Sequence, residues 1–190
     1  MANLKPFEQL TGTLVAYIAP AVEAEPVVNV TPAGNWLVLG ATDGDQKIKH
    51  GGDVELLRDN DHPGPVKAVR AEEDVVVSLT LVGLTLENYA KVLNSVANVV
   101  VVGGPPATKT IPLKRGFVPT EYSLLLKGAA LSPYGAFPGQ YYIPRCVMGG
   151  EPEPTWAKDG RPGLDIEVHI IEDSTQAAGL EMGWLKTQTS

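Results

Sequence analysis

The feature that most constrains this chain is a change of hydrophobic period at Thr85. From Glu73 to Val82 apolar and polar positions alternate, with Val75, Val77, Leu79 and Leu81 on one side and Val76, Ser78, Thr80 and Val82 on the other. A period of two in β-branched residues predicts a half-buried strand. Beyond Thr85 the apolar residues Leu86, Tyr89, Ala90 and Leu93 recur at i, i+3, i+4 and i+7, Thr85 can cap, and Glu87 precedes Lys91 by four. That spacing predicts a helix over about residues 85–96, roughly three turns. Only this stretch carries a helical period, so a strand feeding a lone helix sets the class: α+β and mostly β.

The flanking sequence fills in the sheet. Thr11 to Ile18 is a β-prone run ended by Pro20 and predicts an edge strand, followed by an extended arm to Gly34. Trp36 to Gly40 is a short apolar strand, and Thr42-Asp43-Gly44-Asp45 predicts a tight reversal, because Asp-Gly favours one. Lys49 to Gly64 predicts a long loop rich in glycine and acid, in which Gly51-Gly52 breaks the alternation from Lys47 to Leu57 into two short strands or a bulged hairpin and a polar tip runs from Arg58 to Pro65. After the helix, Asn98 to Val102 predicts a buried strand stopped by Gly103-Gly104-Pro105-Pro106. Glu121–Lys127 and Gln140–Met148 are further strands. In Asp165–Ile171, Ile166, Val168 and Ile170 face inward and Asp165, Glu167 and His169 outward. The expected architecture is a β-sandwich or incomplete barrel with one packed helix, a single domain over 1–190 with arms at 1–10 and 173–190.

Composition and charge narrow the function. The 20 glycines and 16 prolines imply many turns, and the single Cys146 excludes an internal disulfide framework. No apolar run has the length of a membrane span, and the start lacks the apolar segment of a signal peptide. A net charge of -7 argues against a surface that grips nucleic acid by its phosphates. The charge is uneven: residues 1–102 carry 13 acidic and 7 basic side chains, residues 103–150 carry 1 and 5, and residues 151–190 carry 8 and 3. A basic middle between acidic ends suits either self-association or neutralisation within one fold.

No constellation for catalysis is legible. His50, His62 and His169 lack a second ligand at metal spacing. Asp43-Gly44-Asp45 and Asp59-Asn60-Asp61 lack the rest of a calcium loop. Gly103-Gly104 has no Lys-Ser or Lys-Thr to complete a phosphate loop, and Cys146 has no evident base. Glu72, Glu73 and Asp74 are expected to form a solvated corner. The expectation is therefore no enzyme, no cofactor and no metal.

The motifs do carry a resemblance. Trp36-Leu37-Val38-Leu39-Gly40 leading into Thr42-Asp43-Gly44, the acid pair before the β-branched strand, Leu84-Thr85-Leu86-Glu87-Asn88, Tyr141-Tyr142-Ile143-Pro144-Arg145-Cys146-Val147, and Trp156-Ala157-Lys158-Asp159 followed by Asp165-Ile166-Glu167-Val168 occur in that order. Together they resemble the major tail tube proteins of long-tailed bacteriophages, over roughly Trp36 to Asp173. The resemblance implies hexameric rings stacked into a tube, with DNA present only in transit. It also implies a place in the virion after assembly in the host cytoplasm, tape-measure and terminator proteins as partners, no membrane binding, and a loop at 49–64 that reaches the next ring. A DNA conduit needs a wall that does not hold phosphates, which makes Glu73, Asp165 and Glu167 the candidates for the lumen, the other reading being that they lie on the outer wall. Asp53, Arg58, Asp59, Asp61 and Trp184 are the candidates for contacts between subunits. Alternatives are a tail terminator or secretion-tube subunit of similar fold, or a small β-rich binding module or hydrolase with a site of scattered residues.

Overall fold

The alternating run and the helical run both form where their periods place them. The computed structural model describes residues 10, 12–70, 72–82, 84–96, 99–114, 118–156 and 162–190. In chain order the elements are β1 (Leu14–Pro20), β2 (Leu37–Val38), β3 (Ala41–Gly51), β4 (Val54–Leu57), β5 (Lys67–Arg70), β6 (Asp74–Val82) and α1 (Leu86–Val92). There follow β7 (Val100–Val102), β8 (Thr108–Thr110), β9 (Glu121–Gly128), β10 (Gly139–Gly149), β11 (Pro154–Thr155), β12 (Gly163–Ile170) and β13 (Trp184–Thr187). Nine strands share one antiparallel sheet along the path β2-β1-β9-β10-β12-β6-β3, with β11 on β12 and β13 on β10. β4–β5 and β7–β8 are separate two-stranded ribbons.

The two ends of that path are consecutive in sequence, and this bends the sheet into an incomplete barrel. β2 pairs with β1 at one end, β3 pairs with β6 at the other, and only Leu39 and Gly40 join them. The Leu39 amide donates to the Ala16 carbonyl at 2.9 Å before the chain leaves β1. Gly40 sits at φ 153°, and a Cβ there would come within 3.2 Å of Asn88 Nδ2. The gap that remains between β1 and β3 is crossed by a side chain, Gln46, whose Nε2 donates to the Leu14 carbonyl at 2.8 Å.

Inside the curl, alternation does what the sequence requires of it. Val75, Val77, Leu79 and Leu81 of β6 meet Leu164, Ile166, Val168 and Ile170 of β12, with Leu124 and Leu126 of β9 and Ile143, Cys146 and Met148 of β10 completing the core. Burying each such aliphatic side chain contributes about 1.5–3 kcal/mol. Helix α1 adds Val92, which is fully buried, and Tyr89. Thr85 caps the helix by accepting from the Asn88 amide at 3.2 Å. It stops earlier than its period suggests because Asn94 adopts φ 56°. The Asn94 and Ser95 amides then close back on the Lys91 and Ala90 carbonyls at 3.0 and 2.7 Å, a Schellman ending.

Five expectations are corrected. β1 is interior to the sheet, paired with β2 and β9, because the chain after Pro20 crosses back to supply β2. Asp43-Gly44-Asp45 makes no reversal: β3 runs through it, and the register slip between Asp43 and Lys47 marks a bulge with Gly44 at φ 67°. The segment at 49–64 is not mainly loop: the two short strands suggested around Gly51-Gly52 are the end of β3 and then β4, whose partner β5 lies beyond the tip. Val100 to Val102 are exposed rather than buried, since Gly103 to Pro106 turn the chain into a ribbon with β8 instead of into the sheet. The segment from Asp173 is no free arm, because β13 adds to β10 through Gly139↔Thr187 to Tyr142↔Trp184. Of the N-terminal arm, residues 1–9 lie outside the described residues, as does the Ala157–Asp159 part of the motif beginning at Trp156.

Candidate functional site

The acids proposed for a conduit wall do not all fall together. Strand register places Asp165 beside Thr80 and Asp43, Glu167 beside Ser78 and Lys47, and His169 beside Val76 and Lys49 on the outer face of β12, β6 and β3. Thr80 donates its hydroxyl proton to Asp165 Oδ1 at 2.5 Å. The Glu167 carboxylate lies 4.0 Å from His169 Nε2, over the backbone of Gly149 and Gly150, where an added Cβ would collide with either side chain. Asp165 and Glu167 thus share a polar face on which Lys47 and Lys49 dilute the negative charge. Glu73 has the parity of Val75 and lies off that face. It borders an open cleft of about 510 Å³ with Ile48, His50 and Tyr141, and faces Arg70 at 3.5 Å.

The candidates for subunit contacts divide in two. Asp53, Arg58, Asp59 and Asp61 are gathered at the base and tip of the β4–β5 ribbon, all exposed. Asp59 orders the tip by accepting from the His62 amide at 2.9 Å and meeting His62 Nδ1 at 2.8 Å. Trp184 lies elsewhere, half-buried on its own sheet with its ring 4.7 Å from that of Tyr142, where β13 binds β10.

Around Tyr142 is an arrangement that sequence reading missed. The stretch from 21 to 36 crosses the outer face of β1, β9 and β10 and is pinned there by side chains of the sheet and by its own Trp36. The Tyr142 hydroxyl donates to the Glu23 carbonyl at 2.6 Å, Gln140 Nε2 to the Pro26 carbonyl at 2.7 Å, and Trp36 Nε1 to the Ala24 carbonyl at 3.0 Å. The Ser123 hydroxyl accepts from the Glu23 amide at 3.0 Å and donates to the Pro144 carbonyl at 2.9 Å. Lys127 reaches the Val27 and Val30 carbonyls, and burial draws its pKa down. Burial raises that of Tyr142. Glu25 then links the arm to the C-terminal strand, accepting from Gln140 Nε2 at 2.8 Å and pairing with Lys186. The buried polar residues at alternate positions, Ser123 and Gln140, were the signal: each must find a partner.

Cys146 is buried, and desolvation pushes its thiol up to about 12. Such a thiol is a core packing group, with Sγ 3.2 Å from the Tyr122 carbonyl. Among the described residues no group of three His, Cys, Asp or Glu side chains could hold a metal, and no helix is long and apolar enough to cross a membrane.

No protein-family model matches this chain, and no curated protein does. Among solved structures, a chain in the tail of an empty GTA particle with C6 symmetry aligns with 83% of this chain and 90% of its own at 6% identity and a TM-score of 0.43. That is a likeness of outline at a distance that assigns no role.

Proposed function

We propose that this chain is the structural subunit of a phage-type tail tube, forming hexameric rings that stack around a DNA path. The observation that carries the reading is β3, a strand of eleven residues that ends the sheet and, among the described residues, pairs only with β6. Past Gln46, whose side chain bridges to β1, that edge runs on from Lys47 to Gly51 with no further strand among the described residues; such an edge invites another chain, and closing a ring of copies supplies it. The order of the motifs from Trp36 to Asp173 supports the same reading, as does the polar, weakly charged face beside that edge. Asp165 and Glu167 are then wall residues of the conduit, while the β4–β5 ribbon with Asp53, Arg58, Asp59 and Asp61 reaches the neighbouring ring. Tape-measure and terminator proteins are the partners, and the virion tail is the location.

Negative-stain imaging of concentrated protein tests this. Rings that stack into smooth tubes are expected. Single rings that never stack identify a terminator-like subunit instead, and single copies at every concentration sink the proposal. Glu167→Lys should leave tubes intact and slow DNA ejection at low salt, where the added cations hold phosphates most firmly. Ejection at the parent rate would remove Glu167 from the wall.

A further inference from the structure

The arm from 21 to 36 is held from beneath rather than by itself. Past its opening turn, one backbone bond lies within it among the described residues, from the Val30 amide to the Val27 carbonyl at 3.1 Å. The carbonyls of Glu23, Ala24, Pro26, Val27 and Val30 are taken by side chains instead, four of the five by Tyr142, Gln140 and Lys127 of the sheet. Beneath lie Ala19, Trp36, Leu125 and Tyr142, a buried cluster separate from the barrel core, with Trp184 of β13 packed against it.

The arm also begins under strain. Val22 adopts φ 61° in a turn closed by the Glu23 amide on the Pro20 carbonyl at 3.3 Å, and its own amide donates to the Pro144 carbonyl at 2.9 Å. A β-branched residue tolerates left-handed backbone poorly, and at 49% exposure this side chain gains little packing in return. Such a conformation persists only where its surroundings hold it.

The groups that hold the arm also fasten β13. Glu25, its side chain 13% exposed, accepts from Gln140 Nε2 at 2.8 Å and pairs with Lys186 of β13. The Tyr142 ring lies 4.7 Å from that of Trp184 in β13, and its hydroxyl is the one that holds Glu23. Lifting the arm therefore takes the ion pair from β13, and lifting β13 takes the cation from the arm.

We infer that the arm and β13 form one latch that opens as a unit ahead of the barrel, with Val22 as its spring and Glu25 as its tie. Opened, it bares Leu125, Tyr142 and the Gly139–Tyr142 edge of β10. The latch belongs to the single copy and stands apart from ring formation.

Hydrogen exchange on the full chain tests it through Val22→Gly, at a residue whose amide bonds to Pro144 and not to β13. In the parent, 21–36 and 184–187 should exchange faster than β6, which opens only with the whole fold. Val22→Gly should slow both segments by the same factor, about fivefold, the strain relieved less the freedom that glycine gains when the turn opens. With Glu25→Ala added, the glycine should slow the arm and no longer slow β13. Lys186→Met, at a half-exposed site, replaces Glu25→Ala if that variant fails to fold. Slowing confined to the arm in Val22→Gly alone, or both segments exchanging at the rate of β6, overturns the inference. So does an arm that the glycine leaves unchanged, since no strain is then stored there, and so does slowing of β13 that survives the loss of Glu25.

Discussion

Strands β4 and β6 are made of similar residues and end in opposite conditions. Val54-Glu55-Leu56-Leu57 is exposed throughout, whereas Val75, Val77, Leu79 and Leu81 are buried. The difference is not apolar content. β6 has a hydrogen-bonded neighbour on each side and a second layer over one face, while among the described residues β4 has one neighbour and no layer. Burial follows from what lies across the sheet, so a two-residue period predicts a core strand only where other elements can cover it.

The largest effect that would break this comparison is a pair of truncations. Leu164 is fully buried opposite Leu81, and Leu164→Ala should destabilise single copies by about 2–5 kcal/mol through lost burial and the cavity left behind. Leu56→Ala on the ribbon should change stability by no more than about 0.5 kcal/mol. Urea unfolding of both variants decides it; equal losses would mean that the ribbon is packed on its own chain.

The same contrast explains how far the sequence could be read. Alternation separated the two faces of β6 and gave the inward and outward residues of β12 correctly, and Thr85 marked the start of α1. Asn94 was passed over as the helix stop because a period of 3.6 extends to Leu93 and the capping rests on one left-handed residue. Val100 to Val102 read as buried because three consecutive valines have no period at all, leaving apolarity as the sole cue. Asp165 and Glu167 were paired correctly on one face by parity, but Glu73 was joined to them only by charge. The clasp of the 21–36 arm was missed because the buried polar residues that signal it, Ser123 and Gln140, lie about a hundred residues or more further along the chain from their partners.

A next, smaller effect compares two glycines. At Gly183, φ is 111° and an added Cβ would lie 2.4 Å from the Tyr142 carbonyl oxygen. Gly64, at the ribbon tip, has open space and no left-handed backbone. Gly183→Ala should cost about 1–3 kcal/mol in strain and loosen β13, shifting Trp184 emission to the red. Gly64→Ala should be neutral or slightly stabilising. Unchanged emission from Gly183→Ala would show that β13 tolerates the clash. At about 1 kcal/mol, Asn94→Ala should weaken α1 more than Asn94→Gly, since glycine keeps the left-handed turn although both lose the bond from the Thr120 amide at 3.1 Å. Thermal melts that rank them the other way would mean that the left-handed turn at Asn94 does not carry the cost.

The smallest effect concerns acid, and it sets the C-terminal strand against the core. Asp173 accepts from Gln176 Nε2 at 2.8 Å, and from the Thr175 hydroxyl at 2.8 Å and amide at 3.2 Å, which hold its carboxyl below the ordinary value of 3.8. A folded pKa below the unfolded one contributes stability that is present above the unfolded value and is lost as pH falls through the folded one. The turn at Asp173 also carries the backbone bond from its amide to the Glu181 carbonyl at 2.9 Å, just before β13. Lowering pH from about 6 toward about 2 should therefore speed amide exchange in 174–183 before it speeds exchange in β6, whose backbone is paired on both sides over a buried apolar face. Asp173→Asn should remove that early step, because the amide can keep some of the bonds but not the titration. Exchange that rises in both regions together, in parent and variant alike, would mean that acid acts on the whole fold and that Asp173 has no local part in it.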